Sequence, residues 1–369
     1  MEITVKQPAL LKELEILQGV VERKNTVPIL ANVLLSAGSE GLEVMGTDLE
    51  VSVRSRSQVN VKKEGAVCVS AKKLFEIVRL LPDKDVTLKS DAENWVTVTC
   101  ERSRFRIMGL GKGDFPTLPV AGKTPKTKIP GALLRKLVDR VIFAVTSDDA
   151  RFALNGALLI LREKAIALVA SDSHRLAYVT EALEAKGPSE EERVLIPKKA
   201  LSEIARIAAD LDEDVFYSRK DNHLFFEIGS CVLTSRLLEG TFPNFEKVIP
   251  IGNDKVIEFG REELMTSLNR ASLLTNERSR AIRLAVKEGA AEISSKNPEM
   301  GDASEGIEVD YHGEPIEIGF NAKYLLDFLS VTGTDKVLIE LKDEVTQGIL
   351  RPAGEGSKSY TYVVMPMRL

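Results

Sequence analysis

Aromatic residues make up only 5% of the 369-residue chain, with a single tryptophan. A platform that stacks unpaired bases needs several rings in succession, so single-strand binding of that type is disfavoured. Cysteine is scarce as well. Cys68, Cys100 and Cys231 are odd in number, far apart and never in a CxxC pair, which reads as buried thiols of a reducing compartment. The three histidines, His174, His223 and His312, have no metal-ligand spacing to one another or to a cysteine. No apolar run approaches the roughly 20 residues that span a bilayer. The start, Met1-Glu2-Ile3-Thr4-Val5-Lys6-Gln7, lacks the basic and apolar regions of a secretory signal. The expectation is a cytoplasmic globular protein with no metal, no cofactor and no membrane contact.

Catalytic constellations are also missing. Ser171-Asp172-Ser173-His174 contains the letters of a hydrolase triad. Adjacent residues cannot set nucleophile, base and orienting group at mutual hydrogen-bond distances, so a hydrolase using Ser171 or Ser173 is a poor alternative. Gly109-Leu110-Gly111-Lys112-Gly113 lacks the GxxxxGK[ST] pattern and runs into Asp114-Phe115-Pro116 rather than a helix; it reads as a flexible turn. Asp48 and Asp172 read as turn or cap residues. Nothing assembles an active site by role.

What the chain does contain is itself, three times. Val69-Ser70-Ala71-Lys72-Lys73-Leu74 returns as Ile196-Pro197-Lys198-Lys199-Ala200-Leu201 and again as Phe320-Asn321-Ala322-Lys323-Tyr324-Leu325. Asp114-Phe115-Pro116-Thr117 returns as Thr241-Phe242-Pro243-Asn244, and Gly46-Thr47-Asp48-Leu49 as Ala170-Ser171-Asp172-Ser173. The interval is roughly 125 residues, the size of a domain rather than of a solenoid turn. An amphipathic helix opens each copy, marked by Leu10, Leu14, Leu17 and Val21, by Leu134, Leu137, Val138 and Val141, and by Leu264, Leu268 and Ala271. Val51 and Val53, Val96, Val98 and Cys100, and Val337, Ile339 and Leu341 alternate with other residues at the period of a strand with one buried face. Two helices among many short strands per copy predict an α+β fold with mostly antiparallel sheet. Breaks fall at Val120-Ala121-Gly122-Lys123-Thr124-Pro125-Lys126 and Ile249-Pro250-Ile251-Gly252-Asn253-Asp254.

Charge is segregated. Net charge is −5, which alone argues against a nucleic-acid binder. The candidate helices at 70–81, 131–145 and 198–209 carry +2 each, and those at 8–24, 261–275 and 321–332 carry none, leaving −11 for the remainder. Two readings stand: one positive surface for a polyanion, or lysine and arginine as good helix formers on solvated faces.

The ending Tyr362-Val363-Val364-Met365-Pro366-Met367-Arg368-Leu369, with Thr47-Asp48-Leu49-Glu50, Leu154-Asn155-Gly156, Asp172-Ser173-His174-Arg175-Leu176-Ala177 and Phe242-Pro243, resembles the β subunit of bacterial DNA polymerase III, the β sliding clamp family. The resemblance covers the whole chain. It implies three similar α+β domains, at 1–121, 128–249 and 252–369, and two chains closing head-to-tail into a ring. Such a protein is a non-catalytic processivity factor. Its implied partners are sequence-independent duplex DNA, a second copy of itself, the replicative polymerase, the clamp loader and other replication and repair proteins. A protein-only scaffold of three repeats is the alternative, and it would leave the positive surface without a use.

The resemblance also implies sites. The DNA-facing positions are Lys24, Lys72, Lys73, Arg79, Arg135, Lys136, Arg140, Lys198, Lys199, Arg206, Arg270 and Lys323. Contacts of this kind go to phosphates and carry no sequence information, as sliding requires. The implied partner-peptide groove comprises Leu154, Ser171, His174, Arg175, Leu176, Pro243, Lys247, Val248, Gln347, Val363, Val364, Met365, Pro366 and Met367. Its methionines suit an adaptable apolar surface, whereas the plain reading of the tail is a last strand and an end. Ser173 and Lys247 depart from the family's glycine and arginine. At the implied dimer interface Lys73, Arg102, Arg104 and Phe105 face Glu299, Asp302 and Glu305, alongside Leu273 and Leu274. Pro298 to Gly306 reads otherwise as a solvated loop.

Overall fold

The computed structural model describes residues 1–21, 27–146, 151–184, 187–354 and 356–368. These hold 25 strands and six α-helices: α1 (Gln7–Leu17), α2 (Ala71–Leu80), α3 (Gly131–Asp139), α4 (Lys198–Leu211), α5 (Arg261–Ser272) and α6 (Ala322–Val331). Each third repeats one order. A strand leads into a helix, a three-stranded meander follows, then a strand, the second helix and a second meander. The recurring hexapeptide is the junction of strand and second helix. Ser70 ends Gly65–Ser70 and caps α2 by accepting the Lys73 N–H, and Asn321 ends Ile316–Asn321 and caps α6 through the Lys323 N–H. Both satisfy an N–H that a helix start leaves without a partner.

The apolar periodicities become core. Leu10, Leu14, Leu17, Leu137, Val141, Leu268 and Ala271 are fully buried, each large side chain stabilising by roughly 1.5–3 kcal/mol relative to exposure. Two helices are shorter than their periodicity suggests. α1 stops at Leu17, just before Gln18 and Gly19, so Val21 is buried beyond the helix rather than on its face. α3 stops at Asp139, and Ile142–Ala144 forms a separate 3-10 turn. The Gly109–Gly113 run is not a free turn. Gly109 and Leu110 finish the strand Ser103–Leu110, and a Cβ at Gly109 would lie 2.6 Å from both Asn94 O and Cys68 O. The acidic stretch expected as a solvated loop contains a strand, Gly301–Glu308.

Every strand ladder is antiparallel, but the sheets do not respect the repeats. The first meander of the first copy ends in Val51–Ser57, which pairs with Cys231–Arg236 from the second copy, Val51 opposite Ser235. The second copy's own meander ends in Arg175–Ala182, which pairs with the last strand, Tyr360–Val364, with Arg175 opposite Val364. The result is a 13-stranded, an 8-stranded and a 4-stranded sheet. Contacts accordingly group the chain into two compact units, Met1–Arg135 with Lys199–Leu237, and Lys136–Lys198 with Leu238–Leu369. The division cuts the middle repeat because its two half-sheets hydrogen-bond to different neighbours.

Among the strands of the described residues that leave an edge unpaired, two stand at corresponding places in the repeat. Gly301–Glu308 is one of the two outermost strands of the 4-stranded sheet. Ser103–Leu110 pairs with Trp95–Cys100 from Ser103 to Met108, but on its other side only Gly109 and Leu110 have partners, Val69 and Cys68. The three cysteines are free and buried, and burial pushes the thiols up, Cys68 to about 11 and Cys231 to about 12. They are inert as nucleophiles at neutral pH.

Candidate functional site

The equivalent tetrapeptides around Asp48 and Asp172 fold into the same turn. Asp48 Oδ1 accepts the N–H groups of Glu50 and Val51, and Asp172 Oδ1 accepts those of His174 and Arg175, at 2.7–3.0 Å. Thr47 and Ser171 donate their hydroxyls to Val51 O and Arg175 O. Leu49 and Ser173 both take positive φ, 80° and 75°, a conformation glycine adopts without strain. The Ser171 hydroxyl also accepts the Ser173 N–H, so both of its bonds serve the turn and not a nucleophile.

The second turn forms one wall of a cleft of about 200 Å³. Leu154, Leu176, Phe242, Phe245 and Val363 make its floor and belong to a core cluster with Leu158, Ile160, Val169 and Leu195. Pro243, Val248, Ser171, Ser173, His174, Arg175 and Met365 complete its lining. Met365 is placed by its own N–H, which donates to His174 O at 2.9 Å. The cleft thus gathers nine of the groove residues suggested by resemblance. Lys247, Gln347, Val364, Pro366 and Met367 do not line it. Val364 is fully buried within the sheet, paired with Arg175 and Gly348. Met367 is held on another strand, donating its N–H to Gly319 O at 2.8 Å. Phe242 and Phe245 line the cleft without having been singled out for it, and Ser173, noted only as a departure from the family's glycine, lines it too. The Phe242-Pro243 repeat landmark pointed to that segment, but which ring turns inward is not encoded in a short loop's pattern.

Arg175 is not displayed in the cleft as a free cation. Its side chain is 7% exposed. Nε donates to Asp172 Oδ2 at 2.9 Å, Nη1 to Asp327 Oδ2 at 2.6 Å and Nη2 to Phe143 O at 2.6 Å. The guanidinium lies 4.4 Å from the Tyr324 ring centre and 5.2 Å from that of Phe143. Burial works to lower its pKa, and Tyr362, Asp327 and Asp172 more than offset this, leaving it raised.

Of the basic positions, Lys24 lies outside the described residues. The others sit on helices or at their ends, and most have acidic neighbours. Lys72 and Lys73 approach Glu76, Lys136 and Arg140 approach Glu181, Arg270 meets Glu305, and Lys323 meets Asp327. Lys199 Nζ binds Asp48 at 2.5 Å and also Val20 O; Lys198 Nζ donates to Val145 O. Arg206 is held by Glu203, Asp210 and Ile16 O. Arg79 lies over the Phe75 ring and Arg135 is exposed but partnered. Exposed pairs such as Lys73–Glu76 contribute little and can exchange for a phosphate; Lys199–Asp48, whose carboxylate is 6% exposed, is a structural clamp.

Most of the residues suggested for an interface fall on or beside the edge strands Ser103–Leu110 and Gly301–Glu308. Arg104 and Phe105 lie on Ser103–Leu110, with Arg102 just before it; Asp302 and Glu305 lie on Gly301–Glu308, with Glu299 just before it. Lys73 lies on α2, Leu273 is 74% exposed at the end of α5, and Leu274 is half-buried. Among the described residues, no cluster of histidine, cysteine or carboxylate has the makings of a metal site.

The chain matches three consecutive family descriptions: DNA polymerase III beta subunit N-terminal domain over residues 1–119, central domain over 128–244 and C-terminal domain over 246–368. The beta sliding clamp of Pseudomonas putida is 38% identical over 374 residues, and that of Escherichia coli K12 is 34% identical over 371, each alignment covering 100% of both chains. The crystal structure of the DNA polymerase III subunit beta from Pseudomonas aeruginosa superposes with a TM-score of 0.94 at 37% identity, again over 100% of both chains. The fold is the three-domain clamp fold. The chain belongs to the DNA polymerase III beta subunit family, the beta sliding clamps, and is a non-catalytic processivity factor of DNA replication.

Proposed function

We propose that two copies of the chain close head-to-tail into a ring around duplex DNA, and that the cleft beside His174 and Met365 tethers the polymerase by a short peptide segment. The observation that carries the ring is a strand pairing made at two repeat junctions and left open at the third. Twice within the chain, the last strand of a first meander pairs antiparallel with the last strand of the next copy's second meander. Gly301–Glu308 is the third strand of the first kind and Ser103–Leu110 is the third of the second kind, and each lacks that partner. A second copy supplies both. Their charges are complementary: Asp302, Glu305 and Glu308 on one, Arg104 and Arg106 on the other. Phe105 and Leu273 add apolar surface. An unpaired edge invites such pairing, and a head-to-tail contact closes if the rotation allows.

In this reading the domains are 1–121, 128–249 and 252–369. The basic helix positions face DNA, with Arg270 partly occupied by Glu305 and Lys199 by Asp48. Duplex DNA, the polymerase, the clamp loader and other replication and repair proteins are the partners, in the cytoplasm. Loaded onto nicked circular DNA by its cognate loader, the protein should remain bound and should be released when the circle is cut. Equal retention on circular and linear DNA would refute the ring.

A further inference from the structure

The cleft is joined to α6 by a line of charge. Asp172 Oδ1 fixes the turn that forms one cleft wall, and its Oδ2 holds Arg175 Nε. Arg175 Nη1 reaches Asp327 on α6 at 2.6 Å, and Asp327 receives Lys323 Nζ at 2.9 and 3.2 Å. Only the far end is open to solvent: Arg175 is 7% exposed, Asp172 17% and Asp327 19%, but Lys323 is 51% exposed. The first two repeats solve the same problem differently. Lys199 stands on α4 where Lys323 stands on α6, and it grips Asp48, the counterpart of Asp172, directly. Val51 occupies the place of Arg175 there. One junction has a single clamp, and the other a relay with a solvent-facing end.

We propose that Arg175 is a positioning residue of the cleft rather than a ligand of the peptide, and that Lys323, Asp327, Arg175 and Asp172 couple the cleft's affinity to polyanion contact at α6. This rests on the function proposed above. With Nε, Nη1 and Nη2 all donating within the chain, Arg175 has little left to offer a partner. It does fix the carboxylate that fixes the wall. Asp327 divides itself between two cations. A phosphate that draws Lys323 away leaves Arg175 as its remaining cation, and their bond shortens the excursions of Arg175 and of the turn. Arg175 holds Asp172 through a different nitrogen, so the two contacts do not compete. A wall held more firmly loses less freedom when a peptide binds, and linkage makes the coupling reciprocal.

The test is peptide affinity, read by fluorescence anisotropy with a labelled polymerase-derived peptide, with and without a short blunt duplex. The full-length protein should bind the peptide more tightly with duplex present. Lys323→Ala should bind more tightly than the unaltered chain and ignore the duplex. Asp327→Asn should bind more weakly and also ignore it. Each change should be roughly twofold to thirtyfold. A merely structural role would weaken binding in both variants, so opposite signs at the two ends of the relay are the discriminating result. If Asp327→Asn melts before the assay temperature, Lys323→Ala, at an exposed side chain, still decides the matter. Loss or no change of affinity in Lys323→Ala, or no duplex response in the unaltered chain, overturns the coupling. If the unaltered chain binds no peptide, it is the groove assignment that fails instead.

Discussion

Removing Met365–Leu369 separates what the tail does for folding from what it does for binding. Two backbone hydrogen bonds tie the described part of the tail, Met365 N–H to His174 O at 2.9 Å and Met367 N–H to Gly319 O at 2.8 Å. Each contributes about 0.5–1.5 kcal/mol net, so truncation should cost about 1–3 kcal/mol. Val364, fully buried, stays in its strand. At about 2–4 °C per kcal/mol for a unit of this size, the melting temperature should fall by about 2–12 °C. On the binding side, Met365 is 36% exposed. A methionine contributes about 1.5–3 kcal/mol on full burial, so a peptide covering the remaining third gains about 0.5–1 kcal/mol. Loss of the tie to His174 loosens the turn that walls the cleft, and together these should weaken peptide binding by about tenfold or more, about 1.4 kcal/mol. Met365→Ala, which keeps both backbone bonds, should lose roughly twofold to fivefold in affinity with little change in melting. Calorimetric titration with a polymerase-derived peptide, beside a scanning melt, measures both quantities. A truncated chain that binds the peptide as well as the full chain refutes the assignment of the cleft.

Two further outcomes follow from particular residues. Glu13 is buried at 7% exposure on α1, and burial raises its carboxyl above the ordinary range, with Ser55 and Lys12 pulling the other way. The folded state therefore holds this proton more tightly than the unfolded one, a contribution present at pH below the ordinary carboxylate value and lost as pH rises through the raised one. Glu13→Gln should raise the melting temperature at neutral pH and flatten its decline between acid and neutral pH; an unchanged pH profile of melting would place the titration elsewhere. Leu273→Ala with Leu274→Ala should yield monomers by sedimentation, because each leucine forfeits up to about 1.5–3 kcal/mol of burial against the second copy, while the folded unit survives. An intact dimer at low concentration would remove these two side chains from the interface.

The repeat, the two helices of each copy and the paired aspartate turns were legible because each is a local matter. Capping, apolar spacing and Asx hydrogen bonds are decided within a few residues, so Ser70 and Asn321 announce helices and Asp48 and Asp172 announce the same turn. Sheet membership was not legible. Val51–Ser57 alternates no differently for pairing with Cys231–Arg236 than it would for pairing within its own copy, so nothing in its period reveals that the sheets cross the repeats. The stretch after Pro298 could be read as a loop because it is polar and contains glycine, yet an edge strand with one paired side tolerates that composition. The tail misled in a third way. A run of apolar residues suggests one surface, but strand geometry alternates, so Val363 lines the cleft while Val364 enters the core. The basic helices were counted correctly as charge, and partners on the same helix, such as Glu76 for Lys73, were visible in that count, but partners from distant segments, such as Glu181 for Lys136, were not.

The repeats also explain why one junction carries an apolar cleft when the scaffold offers two. Val51 lies opposite Ser235 at the first and Arg175 opposite Val364 at the second, so Ser52 and Thr234 stand where Leu176 and Val363 stand. Both places have a cleft lined in part by the connector that follows a repeat: Leu118, Pro119 and Val120 at one, Phe242, Pro243 and Phe245 at the other. At the first, Ser52, Arg54, Glu227 and Thr234 line it, and a hydrophobic peptide would have to strip water from these groups without replacing their hydrogen bonds. At the second, leucine, valine and phenylalanine make the floor, and the buried Arg175 has its donors occupied within the chain. The backbone was copied with the repeat. The apolar cleft was made by a few side chains that differ between copies, which is why the symmetry of the sequence locates the scaffold and its departures from symmetry locate the proposed site.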